Sequence, residues 1–216
     1  LSHNIEGSYR GVYRMLRIAE SKVYSTPVAE AEIQVFRHRD VKEVDPRVGA
    51  DDTCIALCVV DKGLRAIAAE DVLFYDPTPP TWSSRFRQKF RRGQHILQAF
   101  LKHRSLLFRK GVFSRLIFPM EFFIYVMNPI LFPVFLFLTG WVVTTNLFLA
   151  AIAAAGLLGV ALVPSLRTAL TTHVTNNLIM LTALVQEARG EKHLVWTKIE
   201  ETRVTDEKAE IPLIHS

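Results

Sequence analysis

The most constraining feature of this chain is residues 116–163, where Glu121 is the single charged side chain. Two apolar stretches within residues 112–163 meet at Thr139-Gly140, and each is close to the length that crosses the roughly 30 Å hydrocarbon layer of a bilayer. Two consecutive helices with so few charges are not expected in the core of a soluble helical protein. We therefore predict a transmembrane helical hairpin over residues 112–163, with its turn at Thr139-Gly140.

The charges around this hairpin predict its orientation. Residues 83–115 hold ten Lys and Arg residues and no Asp or Glu, and Arg167 follows the hairpin. Since basic flanks stay in the cytoplasm, both ends of the hairpin should lie there. We expect an integral protein of the plasma membrane whose polar parts are cytoplasmic. Residues 164–186 either associate with the membrane or span it a third time, and residues 187–216 form a polar tail.

Residues 83–111 have the pattern of an amphipathic helix at the membrane surface. Five apolar residues share one helical stripe, namely Phe86, Phe90, Leu97, Phe100 and Leu101. Basic side chains flank the stripe, and such a helix next to a transmembrane segment is expected to lie in the headgroup plane. The simplest role for its arginines is to bind anionic lipid. Because the helix adjoins a bilayer segment, we expect no nucleic acid as a partner.

The polar first part, residues 1–82, mixes helix and strand patterns. Helical periodicity covers residues 8–24 and 54–61, and strand-like patterns cover residues 31–38, 64–68 and 71–75. This mixture predicts an α/β fold with too few strands to form a sheet of its own. We therefore expect the N-terminal half of the domain to lie outside this sequence.

The two cysteines of the chain, Cys54 and Cys58, lie four residues apart in an apolar run. A disulfide or a two-cysteine metal site is conceivable, but no histidine or third cysteine is close to them in the sequence. We predict two reduced thiols on a buried helix face. No metal ligand is assigned.

Two short polar motifs carry the strongest functional signal. Asp51-Asp52 precedes an apolar helix, and Gln88, which opens the basic run Gln-Lys-Phe-Arg-Arg, follows Asp52 by 36 residues. An acidic pair, a basic helix and an apolar hairpin in this order suggest chemistry on an anionic, phosphate-bearing substrate at a membrane surface. The alternative for Asp51 and Asp52 is helix capping, because carboxylates are favoured at a helix start.

In the order and spacing of these motifs the chain resembles family 2 glycosyltransferases, in particular the membrane-embedded branch that includes the cellulose, chitin and hyaluronan synthases. The resemblance implies a partial GT-A type glycosyltransferase domain followed by an interfacial helix and the transmembrane hairpin. In that branch an acidic motif ends in the catalytic base, and Asp52 occupies this position. The interfacial helix of the branch carries Gln-x-x-Arg-Trp. Gln88 and Arg91 match its Gln and Arg, whereas Arg92 replaces its aromatic residue.

This resemblance implies inverting transfer of a sugar from a UDP- or GDP-sugar to a polysaccharide or lipid acceptor. Asp52 is then the base, Arg91 and Arg92 hold the leaving diphosphate, and Gln88 and Asp51 complete the substrate-binding residues. The resemblance also implies a divalent metal ion, Mg²⁺ or Mn²⁺, in the full-length enzyme, with its ligands outside this chain. The chain alone is therefore expected to be inactive.

Two other interpretations stay open. A membrane-anchored scaffold without catalytic activity would use the same segments, and it would tolerate Asp52→Asn. A transporter or channel component would need Glu121, Asn128 and the polar cluster at residues 173–177 to line a path. Against a transporter, we expect Glu121 to lie near a helix end and to reach the lipid headgroups.

Overall fold

The structure, a computed structural model, describes residues 2–29, 33–43, 45, 48, 51–72 and 81–191. Within these residues the chain forms helices, with long irregular segments before and after the second helix and short connections between the later helices. The helices are α1 (Ser2–Val23), α2 (Asp51–Asp61), α3 (Trp82–Lys102), α4 (Phe113–Thr145), α5 (Leu147–Leu162) and α6 (Pro164–Ala188). A 3₁₀ segment, Arg104–Phe108, connects α3 to α4.

The predicted α/β fold is wrong for the described residues, which contain no β-strand. In the predicted strand at residues 31–38, the described part from Ile33 onward is irregular, and Val35 is 92% exposed. Of the predicted strand at 71–75, residues 71 and 72 are also irregular and the rest lies outside the described residues.

The predicted strand at residues 64–68 is an extended segment that lies along the end of α1. The Thr26 amide donates to the Ala66 carbonyl at 2.9 Å, and the Arg65 guanidinium donates to the carbonyls of Ser21 and Tyr24. A strand exists only where it exchanges a ladder of backbone hydrogen bonds with another extended chain. Here the neighbouring element is the end of a helix, so the alternating sequence does not become a strand.

α3 lies against α2, the first part of α4 and α6. The fully buried Phe100 stacks on Phe118 of α4 with 5.2 Å between ring centroids. On another side of α3, Gly93 lets α6 approach closely, since a Cβ atom at this position would lie 2.9 Å from the Met180 sulfur. The predicted apolar stripe is buried at Leu97 and Phe100, while Phe86 is 44% exposed.

α4 is a single helix of 33 residues, so the predicted turn at Thr139-Gly140 is wrong. The break comes instead at Asn146, whose side chain caps α5 by accepting from the Leu149 amide at 3.1 Å. Glycine within a helix costs only about 1 kcal/mol relative to alanine, and asparagine is among the best N-cap residues. The helix therefore continues through Gly140 and ends where the asparagine stands. Two π-helical turns, Phe113–Ile117 and Phe123–Met127, interrupt its first half.

By length and composition, α4 is apolar enough to cross a membrane, and only 17% of its most apolar window is buried within the chain. α5 and α6 satisfy the same criteria as a pair, but the chain bends by 107° between them. Residues 164–186, which were expected either to associate with the membrane or to span it, belong to α6. Gly156 and Gly159 of α5 face open space. Among the described residues, no neighbouring helix packs against this side of α5.

Candidate functional site

The predicted base, Asp52, lies in the first turn of α2 and is half-buried. One of its carboxylate oxygens accepts from the Thr53 amide at 2.7 Å, and its backbone carbonyl accepts from the Gln34 side chain at 3.1 Å. The neighbouring Thr53 is 1% exposed, which fixes this end of the helix in the protein. The carboxylate thus lies where the positive end of the helix dipole favours its charge. The Asp51 side chain lies outside the described residues.

The predicted substrate-binding residues of α3 share one face of the helix. Arg91 and Arg92 follow Gln88 by three and four residues, so each of them lies beside Gln88 on the helix surface. Gln88 and Arg91 are half-buried, and Arg92 is exposed. Burial, together with the positive charge of Arg92, lowers the pKa of Arg91. The two positive charges make this part of α3 favourable for an anion.

Asp52 lies on α2 and Arg91 lies on α3, and these two helices are in contact. Cys54, two residues after Asp52, contacts His103 at the C-terminal end of α3. Arg91 precedes His103 by twelve residues, about 18 Å along the helix axis. Cys54 therefore packs against the C-terminal end of α3, whereas Gln88 and Arg91 lie nearer its N-terminal end.

A cluster of metal-ligating side chains joins α2 to α3, and the sequence did not predict it. Cys54, Cys58 and His103 bring one ligand atom each to within 4.8 Å of one another. No histidine is close to the cysteines in the sequence, but the fold brings His103 against them. His103 follows Cys58 by 45 residues, and only the packing of α2 on α3 brings it there. No local spacing signal could have revealed the cluster.

The Cys54 thiol is a poor nucleophile. Burial, and to a lesser extent the neighbouring Cys58, raise the pKa of the Cys54 thiol to about 11. Burial and the charge of Lys102 lower the pKa of His103. A thiol that stays protonated near neutral pH, beside a neutral imidazole, does not form the thiolate–imidazolium pair of cysteine catalysis.

A buried charged network connects α1 to α4, and it corrects the expectation that Glu121 reaches the lipid headgroups. Arg17 donates to Glu121 and to Glu20, each at 2.9 Å, and the exposed fractions of these three side chains are 5%, 3% and 8%. Arg17 also donates to the Tyr125 hydroxyl at 3.1 Å. Burial alone would lower the pKa of Arg17, but Tyr125, Glu121 and Glu20 raise it above its ordinary value. The guanidinium therefore stays charged at any pH at which the chain is folded.

Two of the polar residues that a transporter would need, Asn128 on α4 and Asn177 on α6, are hydrogen-bonded to each other. The Asn128 side chain donates to the Asn177 side chain at 2.8 Å, and Asn177 lies 3.2 Å from the His173 ring. The His173 ring also meets the edge of Phe132, with 5.5 Å between ring centroids. These contacts explain the polar residues as a link between α4 and α6, so the described residues do not favour a transport path.

Comparison with known proteins gives one informative result. The fold matches a solved mannosyltransferase, PcManGT from Pyrobaculum calidifontis in complex with GDP-Man and Mn²⁺, with a TM-score of 0.68 and 27% sequence identity. The match covers 85% of this chain and 52% of the solved chain, so the chain spans about half the length of that protein. No family model and no curated protein matches the sequence.

The similarity agrees with the coarse part of the sequence resemblance, which is to a glycosyltransferase. It does not test membership of family 2 or of its membrane-embedded branch, so both stay predictions. It also does not test the assigned site residues.

Proposed function

We propose that this chain is the membrane-proximal part of a glycosyltransferase that takes its sugar from a nucleoside diphosphate donor. The observation that carries the proposal is the structural similarity to a mannosyltransferase over 85% of the chain, at 27% identity. GDP-Man, which is bound in that protein, is the first donor to test. The acceptor is a polysaccharide or a lipid. The donor-binding half of the enzyme lies outside this sequence, so the chain alone is inactive.

In this proposal Asp52 is the general base. It removes the proton of the acceptor hydroxyl while the oxygen attacks the anomeric carbon of the donor, which inverts the configuration at that carbon. Its position supports this role, because Thr53 and Gln34 hold the backbone of the first turn of α2 in place. A base in such a position typically contributes about 10²–10⁴-fold to the rate.

The face of α3 formed by Gln88, Arg91 and Arg92 is the proposed diphosphate-binding surface. Guanidinium groups bind phosphate oxygens with two parallel hydrogen bonds and offset the charge that develops on the leaving group. Gln88 orients the donor or acceptor by hydrogen bonding. The half-buried Arg91 is partly shielded from water, so its contacts with an anion are stronger than those of an exposed residue.

The solved mannosyltransferase contains Mn²⁺, and the described residues of this chain do not fit that ion. Mn²⁺ prefers carboxylate, carbonyl and water oxygens. The one group of three or more ligating His, Cys, Asp or Glu side chains in the described part of the chain consists of two thiols and an imidazole. The described residues therefore offer no group of ligands that suits a catalytic divalent metal, Mg²⁺ or Mn²⁺.

We also propose that α4 spans the plasma membrane and that the catalytic part is cytoplasmic. Large apolar side chains cover the second half of α4 and are mostly exposed, for example Phe135 at 62% and Phe137 at 69%. α3 and the following segment supply the basic flank. An exposed apolar helix with a basic flank on one side is stable in a bilayer with that flank in the cytoplasm.

Replacing Arg91 with alanine tests the donor assignment. The full-length protein in membranes is supplied with UDP- and GDP-sugars, and kcat/KM for sugar transfer is measured. We expect Arg91→Ala to lower kcat/KM about 10–100-fold, because a hydrogen bond to a charged group is worth about 1.5–3 kcal/mol. The matched control is Arg104→Ala, which removes an exposed arginine of the same basic segment and should leave kcat/KM within about twofold. Equal losses in both variants would mean that general surface charge, not the Gln88–Arg92 face, is responsible.

The membrane topology can be tested at Asn146, between α4 and α5. We expect Asn146→Cys in intact cells to react with a membrane-impermeant maleimide added from outside. Ser105→Cys, on the basic side of α4, should react only after the cells are opened, and the parent protein measures the background from Cys54 and Cys58. Labelling of Ser105→Cys from outside, with Asn146→Cys protected, would indicate the opposite orientation and contradict the proposal.

A further inference from the structure

The cluster of Cys54, Cys58 and His103 has the dimensions of a zinc site. The two sulfur atoms lie 3.6 and 3.7 Å from the His103 Nε2 atom. With zinc–sulfur bonds of about 2.3 Å and zinc–nitrogen bonds of about 2.0–2.1 Å, a tetrahedral ion separates a sulfur and a nitrogen ligand by about 3.5 Å. An ion therefore fits between these atoms with only small shifts of the side chains.

The ligand types select zinc among the common metal ions. Thiolate and imidazole ligands suit Zn²⁺, whereas Mg²⁺, Ca²⁺ and Mn²⁺ require oxygen ligands. Two cysteines and one histidine with a fourth position for water form a known zinc coordination pattern. A surface cleft of about 420 Å³ reaches Cys58 and gives water and the ion a path to the cluster.

The surroundings of the cluster also match those of a zinc–thiolate centre. The Lys102 ammonium lies 3.6 Å from the Cys54 sulfur and is held by Asp45 at 3.1 Å. A positive charge beside the Cys54 sulfur favours the thiolate, which is the form of cysteine that binds zinc. The His103 amide donates to the Ala99 carbonyl at 3.0 Å, which fixes the backbone of this ligand at the end of α3.

We propose that Cys54, Cys58 and His103 bind a zinc ion that joins α2 to the C-terminal end of α3. The ion is a structural cross-link, because it holds the helix that carries Asp52 against the helix that carries Arg91. Because the ligands come from two helices, the free energy of zinc binding adds to the stability of their packing. The zinc site is proposed from the cluster geometry alone, so it does not depend on the proposed glycosyltransferase function.

The test measures zinc in the purified full-length protein. The protein is stripped with a chelator under reducing conditions, incubated with Zn²⁺ and desalted, and its zinc content is then determined. We expect at least one zinc ion per chain in the parent protein. Cys58→Ser and His103→Gln should each hold one zinc ion fewer per chain, since loss of even an outer partner of a metal ligand lowers affinity about 10–100-fold. The control His38→Gln, which removes an exposed histidine, should bind as much zinc as the parent.

A second measurement uses the parent protein alone and so does not depend on how the variants fold. With Co²⁺ in place of Zn²⁺, we expect the intense absorption that arises from charge transfer between thiolate sulfur and cobalt. Absence of this absorption together with a zinc content well below equimolar would overturn the proposal. So would the finding that Cys54 and Cys58 form a disulfide that persists under the reducing conditions of the assay.

Discussion

Replacing Asp52 with asparagine is expected to lower kcat for sugar transfer by the full-length protein about 10²–10⁴-fold. Asparagine keeps the shape of the side chain and its ability to accept a hydrogen bond from the Thr53 amide, but it cannot take a proton at neutral pH. Donor KM should change little, because the base acts on the acceptor hydroxyl and not on the diphosphate. The measurement is initial-rate kinetics in membranes with matched protein levels.

The control for this variant is Asp61→Asn, at the other end of the same helix. Asp61 forms an ion pair with Arg109 at 2.8 Å, and both side chains are more than a third exposed. Loss of such a surface pair costs at most about 1 kcal/mol of stability and should leave kcat unchanged. If Asp52→Asn keeps full activity, Asp52 only caps α2 and the base is elsewhere. If the parent protein transfers no sugar either, the membrane-anchored scaffold interpretation replaces the glycosyltransferase proposal.

Replacing Arg17 with methionine is expected to destabilise the protein by about 3–5 kcal/mol, because Glu20 and Glu121 would then be buried without their cationic partner. For a domain of this size that corresponds to a fall in Tm of about 6–20 °C. The measurement is thermal unfolding of the purified protein. The double variant Arg17→Met, Glu121→Gln should recover part of the loss, since it removes one of the uncompensated charges.

The control here is Lys22→Met, one turn further along α1. Lys22 pairs with Glu70 at 2.7 Å, but the two side chains are 68% and 57% exposed. Loss of such a pair changes Tm very little. Equal changes in Tm for Lys22→Met and Arg17→Met would show that the Arg17 network contributes no more than a surface ion pair.

The sequence predicted what depends on local pattern. The helices near residues 8–24 and 54–61, the helix that carries Gln88 and Arg91, and the apolar block around α4 all follow from periodicity and hydropathy. The motif order also indicated a glycosyltransferase, in agreement with the structural similarity. Local pattern failed where a segment needed a partner, as at residues 64–68, where an alternating sequence lies beside a helix end instead of another strand.

Contacts between distant residues could not be predicted from one sequence. Arg17 and Glu121 are separated by 104 residues, and no sequence pattern pairs them. His103 reaches the two cysteines only because the packing of α2 on α3 brings its ring there. Such contacts depend on how helices dock, and that depends on the whole core.

In the proposed mechanism Asp52 activates the acceptor for a single displacement at the anomeric carbon. The measurement that tests this claim is the configuration of the newly formed glycosidic bond, determined by NMR on the product of the full-length protein with the donor it uses. We expect inversion relative to the donor. Retention of configuration would contradict the role of Asp52 as base, because a retaining reaction needs a different arrangement of catalytic groups.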